Sequence, residues 1–402
     1  MTRTAAPSRG ELRVLIAGAG VSGLETALAL RALAGERVDV ELVSAEPHFF
    51  YRPLSVVEPF GARPVPRREL TGLARAAGAG LTRGELVAVD ADSHVARLAS
   101  GAELPYDAIV LAYGALPHEA VPGALTFRGP ADVDRIRALL AEVERGEARR
   151  VAFAVPSGAV WPLPLYELAL LFVAELERKS VPVEITLVTA EPAPLALFGA
   201  PAAAAVAALL RERRARVVTS AYPREVTQEG LVVGPRDAVV AADRVLALPR
   251  LAAPEIEGVP RDRRGFVPTD AHGRVPGLPD VYAAGDLTSF PIKQGGLAAQ
   301  QADAAAEAIV ARLDGRDPAP FRPVLRALLV TGGRPTFLRV ELAGGSGETS
   351  TATTEPLWQP AGKIAGKYLG PFLAELGVVD DVEDDLDDVE ELLRVELEAA
   401  PG

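Results

Sequence analysis

At 402 residues, 49% of them hydrophobic and 24% charged, the chain is long enough for two or three domains, which excludes a single small binding module, wholesale disorder and a multi-span membrane protein. It contains no cysteine, which excludes disulfides, iron–sulfur clusters, thiolate zinc sites and cysteine redox relays, and its four scattered histidines form no metal-ligand pair. Of the net charge of −12, most falls between Asp380 and Glu398, where eleven acids face one base, so no basic footprint for nucleic acid is present.

Residues 1–11 carry charged side chains and no apolar core, so no secretory signal is expected. The longest apolar stretches, residues 168–174 and 201–210, are too short to span a bilayer. A cytoplasmic protein is expected, with a peripheral contact at the inner face of the membrane left open.

Residues 13–17 (RVLIA) predict a strand, Gly18-Ala19-Gly20-Val21-Ser22-Gly23 a glycine turn, and the run LETALALRAL a helix. A second strand over residues 38–43 completes a βαβ unit of dinucleotide-binding length. Gly18 permits the tight turn, Gly20 allows a pyrophosphate to approach the backbone, and Gly23 allows helix and strand to close together. Gly18, Gly20, Val21, Ser22 and Gly23 are therefore candidate phosphate-binding residues. Ser44 stands where the ribose-binding acid belongs, and Glu46 comes two residues later. Either Glu46 reaches back, or Ser44 serves as a weaker partner, or Glu46 is a solvated loop acid.

A middle α/β unit is expected from a strand at residues 150–155, a helix at 163–177 and a second strand at 183–188. Its turn, Pro156 to Pro162, keeps one glycine and adds bulk where a pyrophosphate needs close backbone approach. Ser157 and Gly158 remain as turn donors and Glu191 as a ribose contact, if NAD(P)H binds; otherwise the unit is degenerate and structural. Trp161 lies either near a cofactor edge or in the packing. Two short runs between residues 225 and 240 predict a hairpin.

The segment Gly277-Leu-Pro-Asp-Val-Tyr-Ala-Ala-Gly285-Asp286 is an apolar strand running into Gly-Asp, with a helix beginning near Gly295 or Gly296. Together with the first glycine turn and with Tyr106 to Gly114, it resembles the motifs of flavoproteins built from two dinucleotide-binding domains. The loop Pro47 to Leu54 and the Lys293-Gln294-Gly295 helix start are similar to those of the sulfide:quinone oxidoreductase and type II NADH dehydrogenase group. The resemblance implies an α/β fold of two Rossmann-like domains, the second inserted in the first. It places an FAD domain at residues 1–118 and 252–320, an NAD(P)-binding-like domain at 119–251 and a C-terminal extension at 321–402. It assigns Gly285 and Asp286 to the ribityl chain and puts Lys293 and Gln294 at the flavin. Arg52, Val87, Ala112 and Gly114 join the FAD contacts. Sulfide chemistry in that group runs through cysteines, so a chain without them cannot perform it.

The resemblance thus implies an FAD-dependent oxidoreductase that passes electrons from NAD(P)H or another small donor to a quinone-like acceptor; no side chain stands out as an acid–base catalyst. The competing reading is an FAD-binding adaptor or redox sensor with a degenerate NAD(P) domain. Beyond residue 320, a strand is expected at 335–342 and a Gly/Ser/Thr-rich loop at 343–354. Ile364, Tyr368, Phe372 and Leu376 then recur at helical spacing, with Lys363 and Lys367 on the same stretch. This stretch either packs over the flavin domain or, as an interfacial helix, meets lipid or quinone, with Gly370 and Pro371 interrupting it. The acidic tail repeats Val382, Leu386, Val389, Leu393 and Leu397, a pattern for an amphipathic helix that docks on its own protein or on a partner.

Overall fold

Apolar runs become buried parallel strands in the computed structural model, which describes residues 12–61, 65, 67–158, 160–342 and 350–378. Its α-helices are α1 (Val21–Ala34), α2 (Leu70–Ala76), α3 (Val133–Glu144), α4 (Leu163–Arg178), α5 (Ala200–Glu212), α6 (Gly295–Asp314) and α7 (Leu369–Glu375). The first sheet is five-stranded and parallel throughout, ordered Val281–Ala283, Ala108–Leu111, Leu12–Ala17, Val38–Ser44, Gly80–Arg83. Alternate residues of its central strand serve two cores. Val14 and Ile16 meet α1 and α6, whereas Leu15 and Ala17 meet an antiparallel sheet of Leu86–Asp90, Val95–Leu98 and Glu103–Pro105. Cover on both faces is the arrangement that continuous apolar strands require.

The second sheet is also parallel, ordered Leu125–Thr126, Arg244–Ala247, Arg150–Val155, Glu184–Thr189, Arg216–Val218. Here the large residues Val151, Phe153 and Val155 pack toward α3 and α4, and the small Ala152 and Ala154 face a three-stranded meander. That meander, Tyr222–Thr227, Gly230–Gly234 and Ala238–Ala241, corrects the expected hairpin: a third strand is needed to cover the sheet face. The chain enters and leaves the second sheet side by side, because Leu116–His118 and Arg250–Ala252 pair as an antiparallel ribbon.

The C-terminal strands Val324–Leu329, Thr336–Glu341 and Ser350–Thr353 form an antiparallel sheet whose Leu325, Leu329 and Leu338 join the core of α4 and α5. Residues 350–353, expected as loop, are thus the third strand; residues 343–349 lie outside the described residues, as does the acidic stretch 380–398. The helix expected from Ile364 begins only at Leu369. Gly366, before the helix, passes close over α1: a Cβ there would lie 2.7 Å from Glu25 Oε2. Pro371 does not break α7; it sits in the first turn, where its missing N–H has no helical partner in any case. Ile364, Leu369, Leu373 and Val378 bury against α1 and the first sheet, which makes this segment packing and not a lipid-facing helix.

Candidate functional site

The strand Leu12–Ala17 delivers Gly18 into the turn at φ +115°, with its N–H donating to the Val43 carbonyl at 2.8 Å. A Cβ on Gly18 would lie 2.3 Å from the Ala112 carbonyl oxygen, and one on Gly23 only 1.9 Å from the Gly18 carbonyl oxygen. These two contacts bring the start of α1 down onto the strand ends. Gly20, at the N-cap of α1, is the opposite case: its Cβ would meet nothing within 4 Å, and no side chain caps the helix. The Val21, Ser22 and Gly23 amides precede the first helical bond, from Leu24 N–H to the Gly20 carbonyl at 2.9 Å. Free amides, a helix dipole and open space are what a pyrophosphate needs.

The third motif closes against the first. Gly285, at φ +92°, is so near α1 that a Cβ would lie 2.7 Å from Ser22 Oγ. Its N–H donates to Gln301 Oε1 at 2.7 Å, and Thr288 Oγ1 donates to the Gly285 carbonyl at 2.9 Å. Gln301 and Thr288, which sequence reasoning missed, therefore fix the Gly-Asp turn. The signal for Gln301 was a second glutamine two turns into an otherwise alanine-rich helix.

Asp286 is half-buried; burial raises its pKa above the usual carboxylate range, while Lys293 and Arg52 pull it back. The structure thus brings Asp286, Lys293 and exposed Arg52 together. Lys293 is 3% exposed, with its Nζ donating to the Thr288 carbonyl and standing 3.8 Å from the centre of the Phe266 ring. Burial pushes its pKa down to about 8, with Asp286 opposing. It is not a solvated loop lysine. Gln294 caps α6 by accepting from Leu297 N–H at 2.8 Å, and its amide donates to the Arg326 carbonyl at 3.0 Å, so its side chain is used in holding the helix start.

The remaining candidates separate. Ser44 Oγ accepts from Glu46 N–H at 3.1 Å and closes the turn on itself, while Glu46 is exposed. Arg83, absent from the sequence reading, braces that turn by donating to the Ala45 carbonyl at 2.6 Å. Ala112 is held by its N–H to the Ala17 carbonyl at 2.8 Å, and Gly114 follows with nothing within 4 Å of its Cβ position. Val87 lies on the antiparallel sheet, 36% exposed, with its carbonyl accepting from Glu257 N–H at 3.0 Å.

In the second sheet an exposed arginine lies against the turn. Arg250 Nε donates to the Ser157 carbonyl at 3.3 Å and lies 3.3 Å from the Cβ position of Gly158. Trp161 packs against Phe198, ring centres 6.1 Å apart, as part of the core. Glu191 turns inward, accepting from Tyr166 OH at 2.8 Å and Thr189 Oγ1 at 3.0 Å, and burial raises its pKa.

One buried ion pair completes the region. Lys363 Nζ meets Glu167 Oε1 at 2.5 Å, the residues 6% and 1% exposed, and Val330 N–H donates to the same oxygen at 3.0 Å. The segment carrying Lys363 crosses the start of α6, where Ile364 lies 3.1 Å from the Cβ position of Gly295 and its N–H donates to Tyr51 OH at 2.8 Å. Lys363, which would face lipid if its stretch were an interfacial helix, is an interior cation, because Glu167 sits within the apolar face of α4 and needs one. The acid inside the run LPLYELALLF was the available signal.

Residues 12–308 match the description of the pyridine nucleotide-disulphide oxidoreductase family. An NADH dehydrogenase-like protein of Mycobacterium tuberculosis is 27% identical over 295 residues, covering 69% of this chain and 73% of that protein. Among solved structures, the sulfide:quinone oxidoreductase of Aquifex aeolicus has a TM-score of 0.74 at 19% identity, covering 85% of this chain and 87% of that one. A ferredoxin reductase of Rhodopseudomonas palustris has a TM-score of 0.61 at 21% identity, covering 82% of each chain.

Proposed function

The chain belongs to the pyridine nucleotide-disulphide oxidoreductase family, and on that premise we propose that it is an FAD-dependent oxidoreductase delivering electrons from NAD(P)H or another small donor to a quinone-like acceptor. The observation that carries this reading is the buried Lys293 beside Asp286 at the start of α6. The uncapped amides of α1 and the open space at Gly20 fit a pyrophosphate, with Asp286 at the ribityl chain and Lys293 at the ring. Bound FAD would supply the two-electron chemistry that a chain without cysteine otherwise lacks.

The protein's part is binding, orientation and charge. Lys293 and the α6 N-terminus present positive potential to an anion developing in the reduced site. Lys363 precedes Ile364, which lies against Gly295 at the start of α6, and with Glu167 it would offer a proton donor near that helix start; a quinone needs protons as well as electrons. The relatives support a redox reading: one is NADH dehydrogenase-like, another a sulfide:quinone oxidoreductase. The cysteine route to sulfide is closed to this chain, and the altered Ser157–Gly158 turn means that a nicotinamide donor would have to bind without the glycine cradle.

Anaerobic titration of the purified protein with NADH and with NADPH tests the proposal. Bleaching of the visible flavin band by either names the donor, and its return on adding a quinone analogue names the acceptor class. A flavin band untouched by both nucleotides supports another donor or a sensor, and a protein that cannot be loaded with FAD overturns the proposal.

Lys293 supplies a pH prediction. Because burial has lowered its pKa to about 8, its charge is present below that pH and lost above it. The rate of flavin reduction is expected to fall as pH rises through about 8, and Lys293→Met is expected to give the alkaline rate at all pH values. Stopped-flow reduction from pH 6.5 to 9.5 checks both, and a variant that keeps the wild-type pH profile removes Lys293 from the role.

A further inference from the structure

The C-terminal sheet has one face that the core does not use. Leu325, Ala327, Leu338 and Val340 point into the core of α4 and α5, so strand alternation turns Arg326, Leu328, Phe337 and Arg339 to the other face. There Leu328 and Phe337 pack with Trp358 and Leu357 in a small apolar cluster, the Phe337 and Trp358 ring centres 5.0 Å apart. The next cross-strand row is Arg326, Arg339 and Thr351, paired in direct register on three neighbouring strands.

Like charges directly opposite on antiparallel strands destabilise the pair, their Cβ atoms being only about 5 Å apart. A guanidinium cannot shed its proton to relieve the repulsion. Glu341 answers one of the two cations, its Oε1 accepting from Arg339 Nη2 at 2.6 Å. The Arg326 side chain is half-buried and makes no hydrogen bond or ion pair among the described residues. Its backbone is nonetheless fixed. Gln294 Nε2 donates to the Arg326 carbonyl at 3.0 Å, and Gln300 brackets Val324, accepting from its N–H and donating to its carbonyl at 2.9 Å each.

We propose that the row Arg326, Arg339 and Thr351 is a site for an oxyanion, the phosphate or carboxylate of an amphipathic ligand whose apolar part lies toward Trp358 and Leu357. Two guanidinium forks and a hydroxyl supply the donors that hold such groups, and the anion offsets the repulsion that the strand register imposes. Trp358 is held at the edge of the row by its Nε1–H, which donates to the Gly362 carbonyl at 2.9 Å. The site lies on a different sheet from the glycine turn of α1 and does not rest on the redox reading. A free organic phosphate and a phospholipid headgroup carry the same chemistry, and the test separates them.

Calorimetric titration of the full-length protein with octyl phosphate, kept below its micelle concentration, is expected to show binding that Arg326→Gln weakens about tenfold or more, the scale of a hydrogen bond to a charged group. The glycine turn is intact in both proteins, so any binding there cancels in the comparison. Should Arg326→Gln fail to fold, Arg339→Gln provides the alternative: it removes the second fork, leaves Glu341 free to face Arg326, and should weaken binding as much. Sedimentation with phosphatidylcholine vesicles, with and without phosphatidylglycerol, assigns the source. Octyl phosphate binding without sedimentation supports the site with a soluble ligand, and Arg326-dependent sedimentation with phosphatidylglycerol supports it with a headgroup. Wild-type protein that binds neither probe, or binding that is unchanged in the arginine variants, would overturn the site.

Discussion

Gly23→Ala is expected to yield a protein that no longer retains FAD and that has also lost stability without the cofactor. The new methyl group would lie 1.9 Å from the Gly18 carbonyl oxygen, a backbone atom that cannot rotate away, so α1 must lift from the strand end. Overpacking of this kind costs about 1–3 kcal/mol. The lift also displaces the Val21, Ser22 and Gly23 amides that would face the pyrophosphate. Gly20→Ala is the control, because its Cβ meets no protein atom within 4 Å. It should leave the apo protein's melting temperature nearly unchanged while still weakening FAD retention, since its methyl group enters the space assigned to the cofactor. Flavin absorbance after gel filtration and apo-protein melting curves separate the two cases. A Gly23→Ala protein that purifies yellow, with an unchanged melting temperature, would show that the helix–strand approach is not what this site requires.

Glu167→Ala should cost about 3–5 kcal/mol of stability, because it strands Lys363 in the interior without a counter-charge. It also removes the acceptor for Val330 N–H. The pair's contribution to function is separable from its contribution to folding. Glu167→Leu combined with Lys363→Met replaces both charges with apolar groups of similar size, which should restore much of the stability. The double variant would still lack the proton donor beside α6. Flavin reduction by the donor should then be close to wild type, while reoxidation by a quinone analogue falls about 100-fold, the scale of a positioned acid. Urea unfolding and two-stage stopped-flow kinetics make the measurement. Reoxidation at the wild-type rate in the double variant would confine Lys363 and Glu167 to a structural role.

What the linear chain determined by itself was local in origin. The run at residues 12–17, the turn Gly18–Gly23 and α1 are adjacent in sequence, so the 23 residues from Leu12 to Ala34 contain the strand, the tight turn and the helix start together. The same holds for the Gly285-Asp286 turn and the start of α6, and the absence of cysteine closed one branch of chemistry without any coordinates. The interior pairings were not legible, because nothing local marks a charge for burial. Lys363 finds Glu167 across 196 positions, and Glu25 meets Tyr368 and Leu369 across more than 340. From the sequence, the stretch carrying Lys363 could pack over the flavin domain or meet lipid, and its environment is set by the neighbouring α4. Trp161 and Glu191 likewise could belong to a cofactor or to the core, and the packing of Phe198, Tyr166 and Thr189 around them draws both inward. Only the tertiary structure decides such cases, since the free energy of a buried polar group depends on which partner the fold brings to it.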